Sequence, residues 1–382
     1  MKKATVKNGI DRLNEILPEL SGMKIGLITN QTGVAKNGET TIDLLYKSDL
    51  LYCLFAPEHG VRGGAQAGER IQSSIDEATG VKIHSLYGGD LHIPKEIIES
   101  LDAIAFDIQD VGARFYTYVS TLSYAMEDCA QYGKRMIVFD RINPIGAVSP
   151  QGSLLEPEFS SFVGRYPIAT RHNLTVGEYA RYINERHNIG CLLTVVKIEG
   201  WSRDMIFFDT DLKWISPSPN IKSPDTCFYY IGTCLAEGTN LSEGRGTECP
   251  FELIGAPWLN TEAIAREMNS MGLKDVCFSA EKFTPTFSKY AGTECNGIRL
   301  KTTNPRKFRP FESALYLFEL IRKAHPEFKF LPPHKEGTPY FIDLLLGCDD
   351  WRRNDFDIYA FLQKQNEKLK EYEAEIKEYY LY

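Results

Sequence analysis

The sequence predicts an α/β protein with a Rossmann-like parallel sheet domain over residues 1–248, followed by a smaller α/β (α+β) domain over residues 249–382. Three observations carry this expectation. The 382 residues are too many for one ordinary core, which favours two domains of roughly 100 to 200 residues each. Short β-branched or apolar runs alternate with longer stretches of helical period, the pattern of a parallel sheet covered by helices on both faces. The texture then changes between Trp201 and Pro257, where Pro, Gly, Ser and Asn crowd together.

In chain order, "MKIGLITN" reads as a strand and "TTIDLLYKS" as a helix opened by a Thr. "LLYCLFA" and "VKIHSLY" are strands, and "IPKEIIESL" is a helix entered near Pro94. "DAIAFDIQ" is the next strand, "YVSTLSYAMEDCAQYG" a helix closed by Gly133, and "RMIVFD" a further strand. "TVGEYARYINERHNIG" is a capped helix, followed by the strand "CLLTVVKI". The Trp201–Pro257 stretch reads as one long loop without periodicity, of the kind that carries function. Beyond it lie a helix in "TEAIAREMNSMG", a strand in "NGIRLKT", a helix in "FESALYLFELIRKAH" and a closing charged helix around "NEKLKEYEAEIKEYYLY".

With 43% hydrophobic and 25% charged residues the composition is that of a globular enzyme. A formal charge of −8 argues against a nucleic-acid partner, because phosphate contacts need a basic face. No run of 18 apolar residues implies a membrane span. The two N-terminal lysines are not followed by an apolar segment, so the sequence as it stands reads as cytoplasmic, or as periplasmic or secreted if a leader was removed. Nine cysteines, an odd number without a C-x-x-C pair, read as mostly buried free thiols. The turn after the first strand, "TNQTGVAKNG", lacks G-x-G-x-x-G, and neither a phosphate-binding G-x-x-x-x-G-K-[ST] nor a G-x-S-x-G elbow is present. No cofactor and no metal is expected.

Ligands of open parallel sheets bind at the carboxyl ends of strands, near the point where strand order reverses. The polar residues ending the expected strands are Asn30, Glu58, Asp107 and Asp140. Together with Gln31, His59, Gln109, Asp110, Arg114 and Arg141 they outline a polar crevice. Each also has a plainer reading. Glu58 then pairs with Arg62 on a surface loop, Asp107 or Asp110 caps the following helix, and His172 merely precedes the Thr175 cap. Glu243 and Arg245 become a rim ion pair of little energetic worth, and Tyr116, Tyr118, Phe207 and Trp214 become core.

The stretches "GLITNQTGV", "FAPEHGVRGGAQAGE", "FDIQDVGARFYTYVSTL", "FDRINPIG", "SPSPN", "EGTNLSEGRGTECPFELIGAPW" and "FTPTFSKYAGTECNGIRL" resemble, in that order, the NamZ-type exo-β-N-acetylmuramidases, peptidoglycan glycoside hydrolases long grouped only as a domain of unknown function. The resemblance runs from about Lys24 to the final "YLY". It implies a Rossmann-like part joined to a smaller part with the active cleft between them, removal of non-reducing terminal N-acetylmuramic acid from peptidoglycan fragments, and no cofactor. The family's P-E-H-G glutamate, regarded as catalytic, falls on Glu58. Many members begin with a secretion or lipoprotein leader, and this sequence does not.

On that resemblance Glu58, His59, Asp107 and Asp110 form the expected catalytic group. The expected sugar-binding set is Asn30, Arg62, Gln109, Arg114, Tyr116, Asp140, Arg171, His172, Asn220, Asn240, Glu243 and Arg245. Glu58 is expected to protonate the departing oxygen, with His59 orienting it. The second group is Asp107, Asp110 or Glu243, acting as nucleophile or base, or else the substrate's own 2-acetamido group oriented by a carboxylate such as Asp110. A lactyl carboxylate calls for a bidentate cation from Arg62, Arg114, Arg171 or Arg245. Competing readings are a catalytically silent binder of muramyl sugars and a metal-dependent hydrolase built on His59, Asp107 and His172. A nucleotide-linked enzyme is disfavoured by the missing phosphate loop.

Overall fold

Period-two burial builds the first sheet. In β1 (Ile25–Thr29), β5 (Ala103–Asp107) and β6 (Arg135–Phe139), successive side chains enter two different cores. Ile25, Leu27, Ala103, Ala105, Ile137 and Phe139 face one, while Ile28, Ile104, Phe106, Met136 and Val138 face the other. A strand buried on both faces needs helices on both sides, as the alternating sequence pattern requires.

The computed structural model describes residues 3–62, 73–89, 91–333, 335–353 and 355–382. Its strands are β1, β2 (Leu51–Ala56), β3 (Ser74–Ile75), β4 (Lys82–Ser85), β5, β6, β7 (Gln151–Leu154), β8 (Ala169–Arg171), β9 (Leu192–Val196), β10 (Leu253–Ala256), β11 (Val276–Phe283) and β12 (Cys295–Thr302). The helices are α1 (Leu13–Leu20), α2 (Thr41–Lys47), α3 (Lys95–Glu99), α4 (Tyr118–Gln131), α5 (Val176–Arg186), α6 (Pro224–Thr233), α7 (Thr261–Ser270), α8 (Pro310–Ala324), α9 (Phe341–Leu346) and α10 (Ile358–Ile376).

Seven strands form the main sheet in the order β3-β4-β2-β1-β5-β6-β9, parallel throughout except for the β3 edge. Strand order reverses between β1 and β5, whose last residues Thr29 and Asp107 lie in register. The smaller sheet, β10-β12-β11, is antiparallel and carries α7 on one face. A ribbon of β7 and β8 lies against α10.

The Trp201–Pro257 stretch is not one irregular loop. It contains α6, with every residue buried except Asp225, and β10, buried along its length. A helix buried all round shows no amphipathic stripe, which is why its sequence carries no helical period. Likewise α1, β7, β8, β11 and α9 lie outside the elements expected from the sequence. The closing helix begins earlier than expected, at an Asp357 cap that accepts from the Tyr359 and Ala360 amides. Its buried residues, Ile358, Phe361, Gln365, Leu369, Tyr372 and Ile376, fall at helical spacing. The largest core joins residues from both parts of the chain, Phe106 and Leu122 with Phe251, Phe311 and Trp351 among them. All nine cysteines are free thiols, seven of them buried. Among the described residues no helix is long and apolar enough to cross a membrane.

Candidate active site

At the end of β2, burial gives way to a tight turn. Pro57 O accepts from the Gly60 amide at 3.0 Å, and both His59 and Gly60 adopt left-handed backbone, with φ of 70° and 76°. Gly60 does so freely, whereas a histidine held there is strained, and such strain concentrates at functional sites. The turn leaves Glu58 half-exposed beside a buried His59. The glycine-rich stretch 63–72 that follows lies outside the described residues.

Two hydroxyls hold the Glu58 carboxyl. Tyr87 donates to Oε1 at 3.0 Å, and Thr117, at the start of α4, donates to Oε2 at 2.6 Å. A hydroxyl can donate to a carboxylate or rotate to accept from a carboxylic acid, so this clamp serves either protonation state. Tyr118 O–H donates to Pro217 O at 2.8 Å, tying the turn to the "SPSPN" stretch. Tyr116 packs edge-on against Tyr118 and Tyr230, with centroids at 5.0 and 5.7 Å. Its hydroxyl faces Ser218 without a partner at hydrogen-bonding geometry. Burial pushes both tyrosines up, which keeps them neutral donors. Asn220 is buried in the same stretch.

The other strand ends are closed. Asn30 Oδ1 accepts from the Thr32 amide at 2.9 Å and its hydroxyl at 2.6 Å, so the turn after β1 satisfies itself where a nucleotide enzyme would offer amides to phosphate. Asp107 is fully buried in a bidentate ion pair with Arg141, at 2.5 and 2.9 Å, and also accepts from Thr41. It neither caps the next helix nor faces open space. Asp140 is fully buried as well. It accepts from the Gly177 amide at 2.7 Å, Thr175 O–H at 2.7 Å and Tyr382 O–H at 2.7 Å. Burial pushes its carboxyl up to about 7. A side chain at Gly177 would come within 2.7 Å of that carboxylate, so glycine is needed for the helix to approach it.

Beyond the ends of β1 and β5 opens a cavity of about 440 Å³, lined by Thr32, Gln109, Arg141, Lys36, Asp211 and Trp214 among others. Gln109 Nε2 donates to Asp110 O and Ile142 O, both at 2.8 Å. Glu58 is not among the residues lining this cavity.

Asp110 Oδ2 accepts from the Gly112 amide at 2.6 Å and meets His172 Nε2 at 3.1 Å. His172 Nδ1 in turn accepts from the Leu174 amide at 3.2 Å, which fixes the Nε2–H tautomer. Asp110 Oδ1 is buried without a hydrogen-bond partner among the described residues. Of the four candidate arginines, two are buried clamps. Arg114 donates to Ser153 O, Ile168 O and Leu345 O at 2.7 to 3.0 Å, and Arg171 donates to Ile145 O at 2.5 Å. Burial pulls each guanidinium down to about 10. Asn240 holds the 327–329 segment by donating to Glu327 O and accepting from the Lys329 amide, both at 2.8 Å. Arg245 is paired with Glu237 at 2.7 Å and Glu243 at 3.3 Å, and Glu243 with Lys289 at 3.2 Å. Glu243 is buried and its partners are partly buried, so this is a network rather than the rim pair the plainer reading expects. Arg62, exposed, pairs with Asp76 at 2.7 Å.

Among the described residues no three or more His, Cys, Asp or Glu side chains are arranged to hold a metal ion. Asp107 is committed to Arg141, and both His172 nitrogens are committed too. These residues therefore do not fit the metal-hydrolase alternative.

Sequence reasoning missed Tyr87 and Thr117. Tyr87 stands two residues beyond β4, the neighbour of β2. The strand-end rule reaches it once phenols are counted with the carboxylates.

A doubly wound sheet without phosphate-binding amides, displaying a hydroxyl-clamped glutamate on a strained turn, is the frame of an acid–base hydrolase. Comparison with known proteins narrows this further. Residues 25–225 match the sequence model of the N-terminal part of exo-β-N-acetylmuramidase NamZ, and residues 228–382 match that of its C-terminal part. The peptidoglycan β-N-acetylmuramidase NamZ of Bacillus subtilis is 43% identical over 100% of this chain and 92% of its own length. Two DUF1343 family crystal structures from Bacteroides fragilis, at 31% and 26% identity, superpose with TM-scores of 0.91 and 0.77, each covering 99% of both chains. This chain belongs to the NamZ exo-β-N-acetylmuramidase family.

Proposed function

We propose that this protein is an exo-acting glycosidase that removes non-reducing terminal N-acetylmuramic acid from peptidoglycan fragments, with Glu58 as the general acid. The observation that carries the proposal is the Glu58 carboxyl, fixed between the Tyr87 and Thr117 hydroxyls in a chain of this family. Bond cleavage needs a proton for the leaving oxygen and support for an oxocarbenium-like centre. Glu58 supplies the proton, and His59, held beside it by the left-handed turn, orients that carboxyl.

Asp110 is the favoured assisting carboxylate, because Oδ1 keeps unused acceptor capacity while Oδ2 is anchored. It orients the substrate's 2-acetamido group. Asp107 and Glu243, each neutralised by buried cations, are structural on this reading. Arg62 is the candidate for the lactyl carboxylate, since Arg114 and Arg171 are engaged by backbone carbonyls. The part before residue 248 bears the acid, and the part after it walls the cleft.

The test is chromophore release from a β-N-acetylmuramide and from the matching β-N-acetylglucosaminide, by the protein and by Glu58→Gln. Turnover of the first substrate alone, lost in the variant, is the expected result. Saturable binding of the muramide without turnover would make the protein a sugar binder and Glu58 an ordinary loop carboxylate.

A further inference from the structure

Tyr87 does more than hold Glu58. Its ring begins a run of partly exposed aromatics: Tyr87 to Phe162 with centroids 5.8 Å apart, Phe162 to Tyr124 at 6.4 Å, and Tyr124 to the exposed His92 at 5.0 Å. The far end is braced. Arg165 lies 3.5 Å over the Tyr124 ring and is itself paired with Glu127 at 3.0 Å. His92 Nδ1 meets Asp128 at 2.6 Å. The two sides of Glu58 thus differ in character. One holds the buried Tyr116, Tyr118, Ser218 and Asn220. The other carries the partly exposed rings of Tyr87, Phe162 and Tyr124, with successive centroids 5.8 and 6.4 Å apart.

We infer that the strip Tyr87–Phe162–Tyr124 is the leaving-group platform, on which the sugars beyond the scissile bond stack by their apolar faces. The inference rests on the muramidase reading. A general acid must face the leaving oxygen, and a strip anchored on the acid's own clamp receives the residue attached to that oxygen. Partly buried aromatics offer flat apolar area that matches the C–H face of a pyranose. Phe162 carries the prediction best, because its ring has no hydrogen-bonding group to share with Glu58, reaches the clamp only through the Tyr87 ring at 5.8 Å, and is half-buried.

Two substrates separate the sides. The disaccharide of N-acetylmuramic acid linked to N-acetylglucosamine occupies the platform, whereas the β-glycosyl fluoride of N-acetylmuramic acid has a leaving group that reaches no further than the acid. Phe162→Ala should lower kcat/KM on the disaccharide about tenfold, the worth of one stacking contact, and leave the fluoride unchanged. Phe162→Trp should restore the disaccharide rate. Equal losses on both substrates, or loss on neither, would overturn the platform while leaving the muramidase reading intact. Failure of the unaltered protein to hydrolyse either substrate would refute that reading and the platform with it.

Discussion

The end of β2 and the ends of β5 and β6 look alike in sequence, each a carboxylate closing an apolar strand, yet the fold treats them differently. Asp107 and Asp140 are fully buried, held by a guanidinium, backbone amides and hydroxyls that together use up their acceptor sites. Glu58 is half-exposed and accepts from two hydroxyls, of Tyr87 and Thr117, that can rotate. A carboxyl that must gain and lose a proton requires neighbours able to reverse their hydrogen bonds, and fixed cations do not. Full burial at Asp107 and Asp140, against partial exposure at Glu58, is what separates these strand-end carboxylates.

The comparison is broken most directly at Glu58. Glu58→Gln should lower kcat on a β-N-acetylmuramide about a thousandfold, within the range of a lost general acid, with an unchanged thermal midpoint. A variant that unfolds earlier by several degrees would put Glu58 in the same class as Asp107. The reverse experiment is Asp107→Asn, which leaves Arg141 buried without its counter-charge and should cost about 3 to 5 kcal/mol in urea unfolding. Stability close to that of the parent would mean that water reaches this pair.

Asp140 sharpens the contrast through pH. Its folded-state pKa of about 7 lies above the ordinary aspartate value, chiefly because of burial, so the native state holds a proton that the unfolded chain releases. The associated stability is complete below about pH 4 and is lost as pH rises through about 7. Between pH 5 and 8 the folding free energy should therefore fall, by on the order of a few kcal/mol if this group acts alone. In Asp140→Asn that slope should flatten, since the amide can keep Oδ1 toward the two backbone amides and turn its nitrogen to the Thr175 and Tyr382 hydroxyls. A slope unchanged in the variant would assign the pH dependence to another group. The smallest effect is expected from Thr117→Val, which removes one clamp on Glu58. It should lower kcat about tenfold at the cost of about 1 kcal/mol of stability.

Much of the main sheet was legible because its strands are apolar, short and separated by helices with caps, as at Thr40 and Thr175. Alternating burial in β1, β5 and β6 and the Gly133 stop after α4 needed only local rules. What escaped is what depends on the whole molecule. Helix α6, buried all round, has no polar face to set a period. In the site, the motif at Glu58 and His59 stood out as residues, but the arginines did not sort themselves. Nothing local distinguishes Arg114, which serves carbonyls up to 231 positions away, from Arg62, which faces solvent. The hydroxyls of Tyr87 and Thr117 come from elements separated from Glu58 by 29 and 59 positions, so only the tertiary fold reveals the clamp.

The last three residues have a consequence for the order of events during synthesis. Tyr380 lies 3.3 Å beneath the Arg203 guanidinium, the Leu381 amide donates to Glu178, and Tyr382 reaches both Asp140 and the Ile198 amide. A sheet whose last strand ends at Val196 therefore takes two bonds at its β6 end, at Asp140 and Ile198, from a side chain 184 or more positions later. An N-terminal half of this architecture, ordinarily expected to fold as soon as it is made, gains these contacts only once residues 380–382 have joined it.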